Sequence, residues 1–213
     1  MLDLYASLMS AGSPVLRRML LRRSNIGKED AARLDERFGI YVKNRPPGPL
    51  AWFHAASVGE AQSTLILIRA MQERTPFKNI LVTTGTVSSA RLMEARLPPG
   101  AFHQFYPVDQ PQWVRRFLDH WQPDMVFWME SELWPNMLRE IGRQEIPATL
   151  INARLSAKSF QRWRLAGKNI KFLLGTFGAI LAQTEEDADS FKKLGAAQVS
   201  VSGNLKYSAA PLP

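Results

Sequence analysis

At 213 residues, with nearly half of them hydrophobic and 22% charged, the chain has enough apolar material for one well-cored domain with an appendage and is too short for two full domains. A formal charge of +8 calls for anionic partners: nucleic acid, an acidic membrane surface and a phosphorylated substrate all remain open on charge alone. The absence of cysteine excludes disulfides, thiolate nucleophiles and zinc–thiolate sites, and His54, His103 and His120 match no metal-ligand spacing, so no metal is expected.

Residues 1–21 are apolar but carry Asp3, Gly12, Pro14, Arg17 and Arg18, which is short of the ~20 clean apolar residues of a spanning helix. The arginines follow the apolar stretch and no small-residue cleavage site is evident, which argues against a cleaved signal. The pattern predicts an interfacial helix that puts Leu2, Tyr5, Leu8, Met9, Leu16 and Leu20 into the acyl boundary while arginines meet lipid phosphates. A helix docked on its own domain is the alternative. A polar helix over residues 28–38 and a proline-rich break at 44–49 follow, so residues 1–45 form an arm and residues 46–207 the main domain, with 208–213 the start of a linker.

Within the main domain, short β-rich apolar runs at 50–54, 80–83, 103–106, 125–129, 148–152, 179–183 and 199–202 read as buried strands. Helical spacing at 60–73, 87–97, 111–121, 135–143, 156–174 and 185–194 alternates with them. That order predicts an α/β, Rossmann-like, doubly wound parallel sheet, in which ligands bind beyond the carboxyl ends of the strands. The turns after each strand are therefore the places to look for chemistry.

The first turn, His54 to Glu60, has no dinucleotide-binding glycine pattern. Ser57 and Glu60 have the spacing of a capping box, in which each satisfies the other's backbone donor. The functional reading of the same residues makes Glu60 a general base, kept ionised by the helix N-terminus and made more basic by partial desolvation, with Gly59 leaving room for substrate. Thr84 and Thr86 in the second turn offer hydroxyls and amides to an anion, or simply cap a helix, and no P-loop is present. Glu130 and Glu132 stand before Leu133, Trp134 and Pro135 at a strand-to-helix junction. Asn152, Arg154 and Ser156 occupy the next turn, ahead of Lys158, Arg162, Arg164, Lys168 and Lys171, with no acid between Ala153 and Thr184. Such a run is either a solvated face or a holder of phosphorylated or membrane-borne substrate. Lys206 follows the last strand as a candidate fixed cation, while Phe105, Trp113, Phe117 and Trp121 read as core packing rather than base-stacking sites.

Taken together, His-x-x-Ser-Val-Gly-Glu, Thr-Thr-x-Thr, Glu-x-Glu-Leu-Trp-Pro-Asn, Asn-Ala-Arg-Leu-Ser, Gln-x-Glu-Glu-Asp and Gly-x-Leu-Lys resemble, in order and spacing, the N-terminal half of 3-deoxy-D-manno-octulosonic acid (Kdo) transferases. The chain departs from the family at Val87 and Ser88, where a more polar or proline-bearing turn is expected. The resemblance implies the acceptor-side half of a GT-B glycosyltransferase that uses no cofactor, takes CMP-Kdo as donor and a phosphorylated lipid A precursor as acceptor, and works at the cytoplasmic face of the bacterial inner membrane. It implies inversion, with Glu60 as proton acceptor and Glu130 and Lys206 stabilising the transition state. Ser57, Gly59, Thr84, Thr86, Glu132, Asn152, Arg154 and Ser156 are the expected substrate contacts. The donor domain lies outside these residues on this reading, so the chain alone is expected to be inactive. A non-catalytic, membrane-associated acceptor-binding domain is the alternative. Nucleic acid is not an expected partner, because no recognition module accompanies the charge.

Overall fold

The computed structural model describes residues 1–130 and 132–205. Seven strands form one parallel sheet in the order β3-β2-β1-β4-β5-β6-β7: β1 (Leu50–His54), β2 (Asn79–Thr84), β3 (Ala101–Phe105), β4 (Met125–Met129), β5 (Ala148–Ala153), β6 (Ala179–Ala182) and β7 (Val199–Val201). Because a parallel strand must be followed by a crossover, each is joined to the next by helix: α3 (Val58–Arg74), α4 (Val87–Arg96), α5 (Pro111–Trp121), α6 (Pro135–Arg143), the pair α7 (Ala157–Arg164) and α8 (Lys168–Leu174), and α9 (Glu185–Lys193).

The side-chain alternation of the strands sorts the core into two layers. Trp52, Val126, Trp128 and Leu150 point to the layer covered by α5, α6, α8 and α9, where Phe117, Trp121, Leu138 and Phe191 meet them. Ala51, Phe53, Ile80 and Val82 point to the other layer and pack with Ala61, Leu65, Ile68 and Met93 of α3 and α4. Phe105, Trp113, Phe117 and Trp121 are all buried, as packing groups should be.

Sequence expectation and structure differ in two elements. The single helix expected over 156–174 is broken in two, because Gly167 adopts φ +51, a left-handed conformation that an L side chain rarely takes. Residues 28–38 hold a 3-10 helix (Ala31–Phe38) capped by Asp30, whose carboxylate accepts from the Ala32 amide, and not a longer polar α-helix. The helix ends at Gly39 (φ +72), where an added Cβ would collide with the carbonyl of Trp113.

The arm docks on the domain. It begins with α1 (Leu2–Ala11) and α2 (Ser13–Asn25). Leu20 is fully buried against Phe38 and Trp113, and Leu16 and Leu2 pack partly on the core. Those three residues therefore face protein rather than an acyl boundary. Buried Glu29 links the arm's end to Arg23 at 2.8 Å and to Arg37 at 3.4 Å. On the outer side Leu4, Leu8, Val15, Met19 and Leu21 remain exposed. Among the described residues no helix is long and apolar enough to cross a membrane.

Candidate active site

The strand order reverses between β1 and β4, which run side by side although the chain leaves them in opposite directions across the sheet. At such a switch point the two following turns diverge and open a crevice. Glu60 comes from the turn after β1, and Glu130 and Glu132 from the turn after β4, so three carboxylates are brought to one place.

Glu60 sits in the first turn of α3 and is 7% exposed. Its Oε2 accepts the Ala56 amide at 2.8 Å and its Oε1 accepts the Ser57 hydroxyl at 2.8 Å, while the Glu60 amide donates to Ser57 Oγ at 3.3 Å. The capping box is therefore formed. It does not exclude the functional reading, since each carboxylate oxygen accepts one bond and keeps a second lone pair. Burial pushes the Glu60 carboxyl above the usual range; the donors from Ala56 and Ser57 pull it back, and the charges of Glu130 and Glu132 raise it again. The result is a carboxylate held in place and more basic than a solvated one.

Glu130 adopts φ +55 and Asn152 φ +54, at the ends of neighbouring strands β4 and β5, where the Glu130 amide donates to Ile151 O at 2.9 Å. Asparagine tolerates that region, whereas glutamate is held there against its preference at a cost of about 1–3 kcal/mol, the kind of strain that accumulates at functional turns. Glu132 is half-buried, and desolvation raises its carboxyl. Its backbone carbonyl accepts Trp128 Nε1 at 2.6 Å.

The remaining expected contacts divide. Gly59, Ser57, Thr86, Arg154 and Ser156 are exposed around the crevice, though Thr86 and Ser156 cap α4 and α7 through the amides of Ser89 and Ser159. Thr84 is buried, with its hydroxyl bonded to His103 Nε2 at 2.9 Å and its carbonyl to the Tyr106 amide. It supports the sheet edge and offers no hydroxyl to a ligand, which corrects the expectation of a direct contact. Asn152 has no exposed surface; its Oδ1 accepts the Leu205 amide at 3.1 Å, tying the end of the sheet to the segment that precedes Lys206. Lys206 and the expected linker 208–213 lie outside the described residues.

Sequence reasoning missed Asp109. Trp134 at the N-cap of α6 makes no side-chain cap, and Pro135 follows it, so the amides of Asn136 and Met137 need an outside partner. Asp109, from the turn after β3, supplies both carboxylate oxygens at 3.0 and 2.8 Å, and Tyr5 of α1 donates to the same carboxylate at 3.1 Å. Burial raises Asp109 to about 6 despite these donors. The signal was an uncapped helix start, a deficit without an address. Beneath the crevice, His54 and Trp52 share Thr83 Oγ1 at 2.9 and 2.8 Å, and the His54 ring lies 4.1 Å from Tyr106 and 4.3 Å from Trp128, centroid to centroid. Desolvation lowers His54 to about 3, so this floor is neutral.

The family described as 3-deoxy-D-manno-octulosonic-acid transferase (kdotransferase) matches residues 32–209. The chain belongs to that Kdo transferase family. It is 36% identical over 213 residues to the 3-deoxy-D-manno-octulosonic acid transferase of Rickettsia bellii, covering 100% of this chain and 51% of the relative. It is 39% identical over 208 residues to a probable mitochondrial 3-deoxy-D-manno-octulosonic acid transferase of Arabidopsis thaliana, covering 96% of this chain and 46% of that protein. The chain spans about half the length of the curated relatives it matches and corresponds to the N-terminal half of a Kdo transferase. Among solved structures, the UDP-GlcNAc 2-epimerase of Neisseria meningitidis aligns with TM-score 0.52 at 15% identity, over 74% of this chain and 47% of that one. S. aureus MnaA aligns with TM-score 0.54 at 13% identity, over 74% and 46%. Those two likenesses bear on the fold alone, and they agree with a GT-B half.

Proposed function

We propose that this Kdo transferase half binds the acceptor of an inverting transfer, in which Kdo passes from CMP-Kdo to a phosphorylated lipid A precursor. The observation that carries the reading is the convergence of Glu60, Glu130 and Glu132 at the β1/β4 switch point, with Glu60 fixed by two donors and raised by burial. In the reaction, the acceptor hydroxyl attacks the anomeric carbon of Kdo, its C–O bond forming as the bond to the CMP phosphate breaks. Glu60 takes the hydroxyl proton and CMP leaves with the electron pair. Glu130 steadies the oxocarbenium-like charge, and Lys206 offsets the negative groups of the donor. Gly59, Ser57, Glu132 and Arg154 line the acceptor path. The donor nucleotide is held by the other half of the enzyme, so residues 1–213 alone form no product.

The apolar outer side of α1 and α2, with Arg18 and Arg22 on the same helix, fits an anionic membrane surface, which is where a lipid acceptor resides. On this reading the enzyme works at the cytoplasmic face of the inner membrane.

The test joins this chain to the second half of the Rickettsia bellii relative and measures transfer by product mass and anomeric configuration. Glu60→Gln is expected to lower turnover by roughly 10²–10⁴-fold, the usual worth of a general base, with acceptor binding retained. Turnover within threefold of the parent, or a product of retained configuration, would overturn the assignment.

A further inference from the structure

Away from the crevice, α7, α8 and α9 enclose a depression of about 320 Å³ lined by Arg164, Lys168, Lys171 and Lys193, with Gly167 and Gly195 in its wall. The two glycines make the depression. Gly167 breaks the helix and turns α8 aside, and an added Cβ at Gly195 (φ +96) would lie 2.9 Å from the Lys171 stem, so only glycine lets that lysine lie across the wall.

Among the described residues the side chains of these four cations have no ion pair or hydrogen bond, and all four are exposed. Some surface cations elsewhere are paired, as with Arg139 and Asp3, Arg143 and Glu140, or Arg45 and Asp124, and others stand singly; here four are gathered around one depression. Here no carboxylate occurs between Ala153 and Thr184; of the acids of α9, Glu185, Glu186 and Asp187 stand in its first turn, at the opposite end of the helix from Lys193, and Asp189 lies 3.9 Å from Lys192. Four positive charges around one hollow create a local potential that attracts an anion. Exposed Leu165 and Phe172 flank the cations, at 82% and 56% of full exposure. Cations around a hollow with large apolar side chains beside them are the composition of a surface that meets lipid head groups and the acyl boundary together. The neighbouring helix α6, which contacts α8, also carries α1, so this hollow lies on the same face of the sheet as the exposed apolar side of the arm.

We propose that the hollow between α7–α8 and α9 is a binding site for the phosphate head group of an anionic lipid, distinct from the acceptor crevice. The site goes beyond the transfer reaction and stands whether or not the crevice moves Kdo. Its effect is to give the domain a second point of attachment besides α1 and α2, and two points fix the orientation of a protein on a surface where one does not.

The test compares binding of the 213-residue chain to phosphatidylcholine vesicles with and without phosphatidylglycerol. The variants are Lys168→Gln/Lys171→Gln/Lys193→Gln and, as a charge-matched control on the other face, Arg69→Gln/Arg74→Gln/Arg91→Gln. Each lysine near an anionic surface contributes roughly fivefold to partitioning, so the site variant is expected to lose on the order of 100-fold on anionic vesicles. The control should lose less than threefold, and circular dichroism should show both variants folded. Equal losses in the two variants, or no loss in either, overturn the site. In a second arm inorganic phosphate is titrated while the amide signals of Gly167 and Gly195 are followed. Millimolar shifts that anionic vesicles abolish support a lipid head group. Saturation by micromolar phosphate with vesicle binding unchanged assigns the hollow to a free anion and overturns the lipid proposal.

Discussion

Asp109 gives a prediction that can be worked through on this chain alone. Its carboxylate accepts two α6 amides and the Tyr5 hydroxyl in a site 1% exposed to solvent, and burial lifts it from 3.8 to about 6. A folded-state value above the unfolded one means that the folded protein binds the proton more tightly. Stability from this group is therefore complete below about pH 4 and is lost as pH rises through about 6. The shift corresponds to about 3 kcal/mol. Asp109→Asn removes the titration but turns one carboxylate oxygen into an amide that cannot accept from the backbone, leaving one buried N–H unpaired at a cost of about 1–3 kcal/mol. The variant should accordingly be less stable than the parent at pH 4 and close to it at pH 7. The assay is urea unfolding followed by tryptophan fluorescence at pH 4, 5, 6 and 7, taken as the difference between variant and parent so that other titrating groups cancel. The difference is expected to move by about 2 kcal/mol in favour of the variant as pH rises from 4 to 7, the rest of the shift lying outside that range. A constant difference, or a parent that gains on the variant with rising pH, would refute the reasoning and mean that the helix donors outweigh desolvation.

Further outcomes follow from the same structure. His54 and His103 are both lowered to about 3 by desolvation, so neither imidazole should titrate between pH 8 and 5 by NMR, and their contribution to stability should fall away from about 6.5 downward; titration near 6.5 would contradict their burial. Gly39→Ala forces a side chain into a left-handed backbone against the Trp113 carbonyl and should cost at least about 2 kcal/mol in urea unfolding, with a neutral result refuting that packing. Glu130→Gly relieves a strained glutamate and one of three adjacent carboxylates, so the fold should gain about 1 kcal/mol while the joined enzyme loses transfer; a loss of stability would show that φ +55 is not a strain.

Much of this was legible in the sequence, for identifiable reasons. Runs such as Met125–Met129 are apolar, short and bounded by turn residues, and buried parallel strands leave no other reading. The crevice followed from topology, because a parallel sheet delivers Glu60, Glu130 and Asn152 to the same end. What stayed hidden depends on partners distant in sequence. Thr84 looked like an anion contact until His103 was found against its hydroxyl, and Asp109 supports α6 from 27 residues away. The arm's apolar residues also could not be divided by periodicity between lipid and protein; Phe38 and Trp113 claim Leu20 while Leu8 stays outside. Gly167 was visible, but a glycine inside a helical pattern does not announce the angle it will take.

The central claim is that the β1/β4 crevice receives the acceptor. Hydrogen exchange of residues 1–213 with and without a phosphorylated lipid A precursor tests it most directly. The account predicts saturable protection in the turns after β1, β4 and β5, around residues 55–60, 130–134 and 152–156, and little change at the opposite ends of the strands. Absence of binding, or protection confined to the far ends of the strands or to α4 and the part of α3 beyond Glu60, would contradict it.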